Sequence, residues 1–399
     1  MIKQLQECLC CGNTNISKVL DLGHHPLANS YPTDPEQIET RFPLAINFCP
    51  NCSHVQLTHA VDPDLLFKNY LYVSGTTQTL KDYFAEFVNI VNRYTLGRCV
   101  LDIACNDGSQ LDAFKKQGYE THGIDPAENL YQQSSKNHNV ICDYFDSRSV
   151  QQFGNKKFDV IVAQNVFAHN SYPKEFLELC RQILNDNGRI FIQTSQADMI
   201  INNQFDTIYH EHISFFSVKS MLSLARRTGL YLEDVLRTSV HGTSFVFVLS
   251  KSGPELDLEQ LEKEHVLTES TMRQYAINCH YIAQETKNTV SRLIEQGYKI
   301  IGYGAAAKGN TFINYANIDK ISYIIDDNPL KVNLYAPGLK IPISAPNTLL
   351  EESGKICIIP LAWNFFDEIK SRVNSQLINA KIQELVYLKY FPKVEIIHA

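Results

Sequence analysis

The strongest constraint on this 399-residue chain is a pattern that occurs twice: an apolar strand runs into a turn of small residues, a helix follows, and the next strand ends in an acid. In the first instance CVLDIACNDG carries Asp102 on the strand and Gly108 in the turn, and ETHGIDP ends in Asp125, 23 residues beyond Asp102. NVICDYF with Asp143, FDVIVAQNVFAH and GRIFIQTSQ continue as third, fourth and fifth strands. Strands alternating with helices predict a doubly wound parallel sheet that takes its ligand at the carboxyl ends of the strands. In the second instance YKIIGYGAAAKGNTFINY sets Gly302, Gly304 and Ala307 as G-x-G-x-x-A, and YIIDDNP follows with Asp326. KIPI, ICIIPLAWNFFDEI and the terminal VEII predict further strands there. The fold class is therefore α/β, with two Rossmann-like domains.

The two turns favour different ligands. A dinucleotide asks for G-x-G-x-x-G after the first strand so that its pyrophosphate can approach, and D-I-A-C-N-D-G lacks it. An acid on strand one, a small-residue turn and an acid closing strand two suit a cationic methionine part joined to a ribose, which is S-adenosylmethionine. Asp125, followed by Pro126, would accept both ribose hydroxyls. The turn from Ala104 through Asn106 to Gly108 would pass under the methionyl part, and Asp143 with Tyr144 or Phe145 would face the adenine. Gln164, Asn165 and His169 end the fourth strand, where a substrate must meet the transferable methyl. The second turn has the form of a dinucleotide fingerprint. Lys308, one position past its third small residue, aims a cation at any diphosphate held by the helix N-terminus, and a sugar nucleotide carries a diphosphate too.

Before the first sheet lie two C-x-x-C knuckles, Cys8 with Cys11 and Cys49 with Cys52, with Cys10 competing with Cys8 as a ligand. Four thiolates suit zinc, and four filled positions make that zinc structural rather than catalytic. The segment between is rich in Pro, Asn, Thr and His, so a metal would replace the core that so short a piece cannot build.

Past the fifth strand the run FDTIYHEHISFF sets Tyr209, His210, Glu211 and His212 together. Imidazole, carboxylate and phenol are the parts of a proton-transfer site. The bland reading is a satisfied polar cluster at the mouth of a sheet; a metal reading lacks a third imidazole at ligand spacing. HGTSFVFVLS reads as an antiparallel strand closing the sheet, with His241 opening its turn, where a capped loop residue is the ordinary role. Residues 255 to 297 carry apolar positions at helical spacing and predict a long connecting helix or helix pair.

Composition narrows the partners. With 44% apolar and 20% charged residues, a net charge of −7 and no long run of Lys and Arg, the chain predicts a soluble protein of small-molecule chemistry, without nucleic acid or membrane as partner. No apolar run approaches a membrane span, and MIKQLQECLCCG has no signal-peptide core, so a cytoplasmic monomer is the expectation.

Taken in order, the two knuckles, the D-x-A-x-N-D-G turn, N-V-F-A-H, IYHEHISFFS and GYGAAAKGNTFINY resemble the S-adenosylmethionine-dependent sugar C-methyltransferases over essentially the whole chain. That family methylates C-3 of nucleotide-linked 4-keto-6-deoxyhexoses. The resemblance implies a zinc-binding domain over 1–67, a cofactor-binding methyltransferase domain over 68–253 and a Rossmann-like substrate domain over 299–399, with the helical stretch read above as a connector over 254–298. By position it implies His212 as general base, Tyr209, Glu211 and His169 as partners, and one of Tyr70 and Tyr72 as a further phenol. The candidate residues for the sugar nucleotide are Tyr70, His241, Gly304, Lys308, Asn310, Asp326 and Asn328. Two departures stand out. Ala104 and Cys105 replace the usual Gly and Ser, which narrows the turn, and HGTSF lacks a second Gly and an Arg at the rim.

The competing readings are a nicotinamide-dependent oxidoreductase using the GYGAAA turn, and a zinc-bearing interaction module attached to an inactive enzyme.

Overall fold

The computed structural model describes residues 2–67, 78–194, 198–238, 243–257, 267–378 and 381–399. The chain forms two compact units, each woven from separated stretches. One comprises Met1–Ser17, Asn47–Ala197 and Glu211–Thr268; the other comprises Lys18–Ile46, Asp198–His210 and Glu269–Ala399.

The first unit is built on a seven-stranded sheet. Its order is Tyr231–Thr238, Ser244–Ser250, Leu184–Thr194, Phe158–Gln164, Cys99–Ile103, Glu120–Ile124, Asn139–Ile141. The last five pair in parallel, while Ser244–Ser250 runs antiparallel to both of its neighbours. Alternation along each strand feeds two cores. Val100, Val160, Val162 and Phe191 pack with Phe84, Phe87 and Phe114, whereas Leu101, Ile161, Ala163, Ile190 and Ile192 pack with Phe176, Leu177, Met221 and Leu224. Each such side chain contributes about 1.5–3 kcal/mol on burial. Since both faces are covered, the strands read as continuous apolar runs.

The predicted closing strand is instead internal. Tyr231–Thr238 forms the edge beyond it, half-buried and interrupted by Glu233, Asp234 and Arg237, so its sequence shows no apolar run. In the same unit Ile2–Gln4 pairs antiparallel with His59–Val61, and His54–Leu57 pairs antiparallel with Ser214–Phe215, Ser214 lying opposite Gln56.

The second unit carries a six-stranded sheet in the order Ile343–Ser344, Tyr323–Ile325, Tyr298–Tyr303, Ser353–Pro360, Lys381–Lys389, Glu395–His398. All pairs are parallel except the last. The connecting helix is Glu269–Glu295. In both sheets the first strand of the pattern, Cys99–Ile103 or Tyr298–Tyr303, lies where strand order reverses, so each small-residue turn opens at the crevice that such sheets use for ligands.

Candidate active site and metal centre

In the first unit the turn after Cys99–Ile103 is held left-handed at Ala104 (φ 61°), Asn106 (φ 51°) and Gly108 (φ 82°). Asp125 fastens it: one carboxylate oxygen accepts from the Asn106 N–H at 2.8 Å and the other from the Ala127 N–H at 2.8 Å. Asp102 is buried, and burial, then the Asp125 and Asp107 carboxylates, push its carboxyl well above the usual range. Three acids converging on one turn call for a cationic ligand. At the end of Phe158–Gln164, Gln164 Nε2 and Asn165 Oδ1 are buried with no hydrogen-bond partner among the described residues, as groups awaiting a ligand would be. The donor set therefore fits the sulfonium and amino acid parts of S-adenosylmethionine. Cys105 does not narrow that space, because its side chain is turned into the core, where a Cβ on Gly123 would come within 2.6 Å of its sulfur.

Farther along the edge, Asp143 Oδ1 accepts from the Tyr144 N–H at 2.8 Å, and the Tyr144 hydroxyl donates to Asp64 at 3.3 Å. Phe145 packs on Phe176 with ring centroids 4.9 Å apart.

His169 and His212 come together in this same unit. His169 ends the short 3-10 turn Phe167–His169, and the Ile213 N–H donates to the Ala168 carbonyl at 2.8 Å, drawing the two segments side by side. The two imidazoles stack at 5.2 Å and 29°, and Phe67 stacks on His169 at 5.5 Å. Burial pushes His169 down to about 4, so it is neutral at pH 7. Glu211 and His212 are both buried, 2% and 5% exposed. Tyr70, Tyr72 and His241 lie outside the described residues.

In the second unit the turn after Tyr298–Tyr303 repeats the acid's device. Asp326 accepts from the Ala305 N–H at 2.7 Å and from the Asn328 N–H at 2.9 Å. Gly304 (φ 90°) is required there, since a Cβ would sit 2.7 Å from that of Ala362. The helix Ala307–Ala316 starts without a side-chain cap, leaving its first N–H groups to another partner. Lys308 lies 5.5 Å from the centre of the Trp363 ring, and Trp363 Nε1 donates to Asp206 Oδ2 at 2.6 Å. Burial pushes Asp206 up to about 6, with Lys308 and then Trp363 opposing. Asn310, just inside the helix, donates to the Ala28 carbonyl at 2.8 Å.

Sequence reasoning missed Asp206 and Trp363 around Lys308, and also Tyr31 and Lys331, which both donate to the Ala305 carbonyl, at 2.6 and 2.7 Å. Trp363, the single Trp of the chain, was the one visible signal.

The four knuckle sulfurs form the metal centre. The sulfurs of Cys8, Cys11, Cys49 and Cys52 all lie within 4.8 Å of one another, with Cys8 to Cys52 and Cys11 to Cys49 each at 3.5 Å. Tetrahedral zinc, with Zn–S bonds of about 2.3 Å, sets its sulfurs about 3.8 Å apart, so the set fits. Cys10 stands outside it, wholly buried, its carbonyl taking a hydrogen bond from Arg227.

Comparison with known families matches three models in succession: a zinc binding domain over residues 8–67, a methyltransferase domain over 73–235 and a C-methyltransferase C-terminal domain over 239–387. The C-methyltransferase NovU of Streptomyces niveus is 28% identical over 388 residues, with 92% of each chain covered. A ubiquinone biosynthesis O-methyltransferase of Glaesserella parasuis is 28% identical over 130 residues, 29% of this chain and 54% of that one. Among solved structures, the PH0226 protein of Pyrococcus horikoshii covers 48% of this chain and 97% of its own at 16% identity and a TM-score of 0.37. The acid-lined turn and the three matches define a zinc-bearing, S-adenosylmethionine-dependent methyltransferase. More narrowly, the enzyme is an S-adenosylmethionine-dependent C-methyltransferase, supported by the C-terminal match and by the similarity to NovU along 92% of the chain. The oxidoreductase reading gives way, because the GYGAAAKG turn falls inside the C-methyltransferase C-terminal match; so does the inactive module.

Proposed function

We propose that the enzyme methylates C-3 of a nucleotide-linked 4-keto-6-deoxy sugar through an enolate, as a cytoplasmic step of deoxysugar biosynthesis, with neither membrane nor nucleic acid as partner. The observation that carries this reading is the stacked pair of His169 and His212 in the unit that also bears the acid-lined turn. A C–H beside a ketone loses its proton when the oxygen that gains charge is stabilised. His212 would take the C-3 proton on a ring nitrogen, Glu211 would hold that ring in the useful tautomer, and Tyr209 would donate to the C-4 oxygen. S-adenosylmethionine, bound along Asp102, Ala104, Asn106, Asp125, Gln164 and Asn165, supplies the electrophilic methyl.

The sugar nucleotide's diphosphate would sit at the uncapped start of Ala307–Ala316, with Lys308 as its cation and Gly304 allowing close approach. Asn310 and Asn328 would serve the rest of the ligand from the same edge.

The test is turnover of the purified protein against a panel of 4-keto-6-deoxy sugar nucleotides with isotope-labelled cofactor, the labelled carbon being located by NMR. A carbon–carbon bond at C-3 is the expected result. Label on an oxygen or nitrogen, or at another carbon, would remove the proposal.

A further inference from the structure

One pocket, lying wholly within the second unit, is lined by His25, Tyr209, His210, Asn310, Thr311 and Asn314, and its centre admits a water-sized body and little more. His210 is fully buried, its ring edge-on to Phe42 at 5.8 Å, and neither ring nitrogen makes a hydrogen bond of normal length and angle. The carbonyls of Phe42 and Pro43 lie near enough to favour its protonated form, but burial and His25 outweigh them and hold the imidazole neutral, its pKa down at about 4. Asn310, 1% exposed, spends its amide N–H on Ala28, yet its Oδ1 has no partner among the described residues. His25 is occupied, its Nε2 bonded to the Leu22 carbonyl at 2.8 Å.

Three buried polar atoms with no well-formed hydrogen bond among the described residues would cost up to about 1–3 kcal/mol each, a large share of the roughly 5–15 kcal/mol that stabilises a domain. The chemistry needed to meet them is narrow. A neutral imidazole offers one donor and one acceptor, and Asn310 Oδ1 offers an acceptor. A small neutral molecule that both gives and takes protons satisfies them; an ion does not, because no charged side chain among the described residues lines the pocket.

We propose that this pocket is a fixed water site in which one water donates to Asn310 Oδ1 and bonds the His210 ring, locking one tautomer, and that His210 thereby acts as a positioning residue for Tyr209 and Glu211 on either side of it. The site stands on the geometry of the second unit. Its effect on turnover rests on the roles given above to Tyr209 and Glu211.

High-resolution diffraction from the full chain tests the first part. Density for a water within hydrogen-bond reach of His210 and Asn310 is expected; a dry pocket, or a His210 ring bonded directly to the Phe42 or Pro43 carbonyl, overturns the site. For the second part, His210→Phe fills the pocket with an apolar ring. The expected result is a kcat reduced about tenfold to a hundredfold, the range for a slightly misplaced catalytic group, with S-adenosylmethionine affinity unchanged. His210→Gln keeps a donor and an acceptor and should restore most of the loss, which a purely structural defect would not show. Ordered water with an unchanged kcat in His210→Phe overturns the positioning role while leaving the C-3 methylation reading intact, because that reading is tested by where the label lands.

Discussion

His169 and His212 lie face to face, their ring centres 5.2 Å apart, and Phe67 stacks on His169 as well, at 5.5 Å. Two cationic imidazoles at that distance would repel by about 3 kcal/mol at an effective dielectric of 20. His169 avoids this by remaining neutral down to about pH 4, since burial disfavours its charged form. A proton arriving on His212 therefore meets no like charge from its stacked neighbour, which suits a base.

The variant His212→Asn stays close in size and removes the proposed base. S-adenosylmethionine binding, read by calorimetry, should be unchanged, while turnover of a 4-keto sugar nucleotide should fall below detection. Full activity would take the base role away from His212.

The zinc centre should behave as a fold element. Because four thiolates leave no open position, Cys49→Ser should lose bound zinc by metal analysis and unfold the region around Cys8–Cys52 at lower temperature, on the order of several kcal/mol of lost metal–fold coupling. A variant that lost zinc while keeping its melting temperature would make the metal dispensable to folding.

Ala104 is strained by its left-handed backbone, φ 61°. An L-residue there costs about 1–2 kcal/mol, and the greater freedom of an unfolded glycine returns about 0.5–1 kcal/mol of that. Ala104→Gly is thus expected to raise stability by about 0.5–1 kcal/mol, read as a higher urea midpoint at unchanged slope. A lower midpoint would mean that the Ala104 methyl packs usefully.

Stability should depend on pH through the buried histidines. His169 and His210 titrate near 4 in the folded chain against about 6.5 when unfolded. The unfolded chain therefore binds more protons between those values, and stability should fall as pH drops from about 6.5 to about 4, by up to about 1.4 kcal/mol per pH unit for each histidine. Asp206, pushed up to about 6, acts in the opposite sense between about pH 4 and 6 and cancels part of the loss. Urea titrations across this window should show the decline, and His169→Gln should make it shallower.

How much of this was legible depended on whether the physics was local. The parallel strands were readable because both faces are buried, so Val100–Ile103 and Phe158–Ala163 are nearly unbroken apolar runs. Lys381–Lys389 escaped notice because exposed or half-buried positions at Lys381, Gln383 and Glu384 interrupt it. The knuckles announced themselves by spacing, whereas no short-range pattern ties Tyr31 to Ala305, 274 residues away, or Asp206 to Trp363, 157 away. Those contacts follow from how Lys18–Ile46 and Asp198–His210 join the second unit, and the weaving leaves no mark on either stretch alone.

Asp125 and Asp326 each give one oxygen to the turn before them and the other to the N–H two residues on. Each carboxylate is thus committed to shaping its own loop before any visitor arrives. Under the proposed function, discrimination among visitors falls to side chains such as Lys308, Gln164 and Asn165, so a change of appetite would be sought in those few positions while the two scaffolds are left untouched.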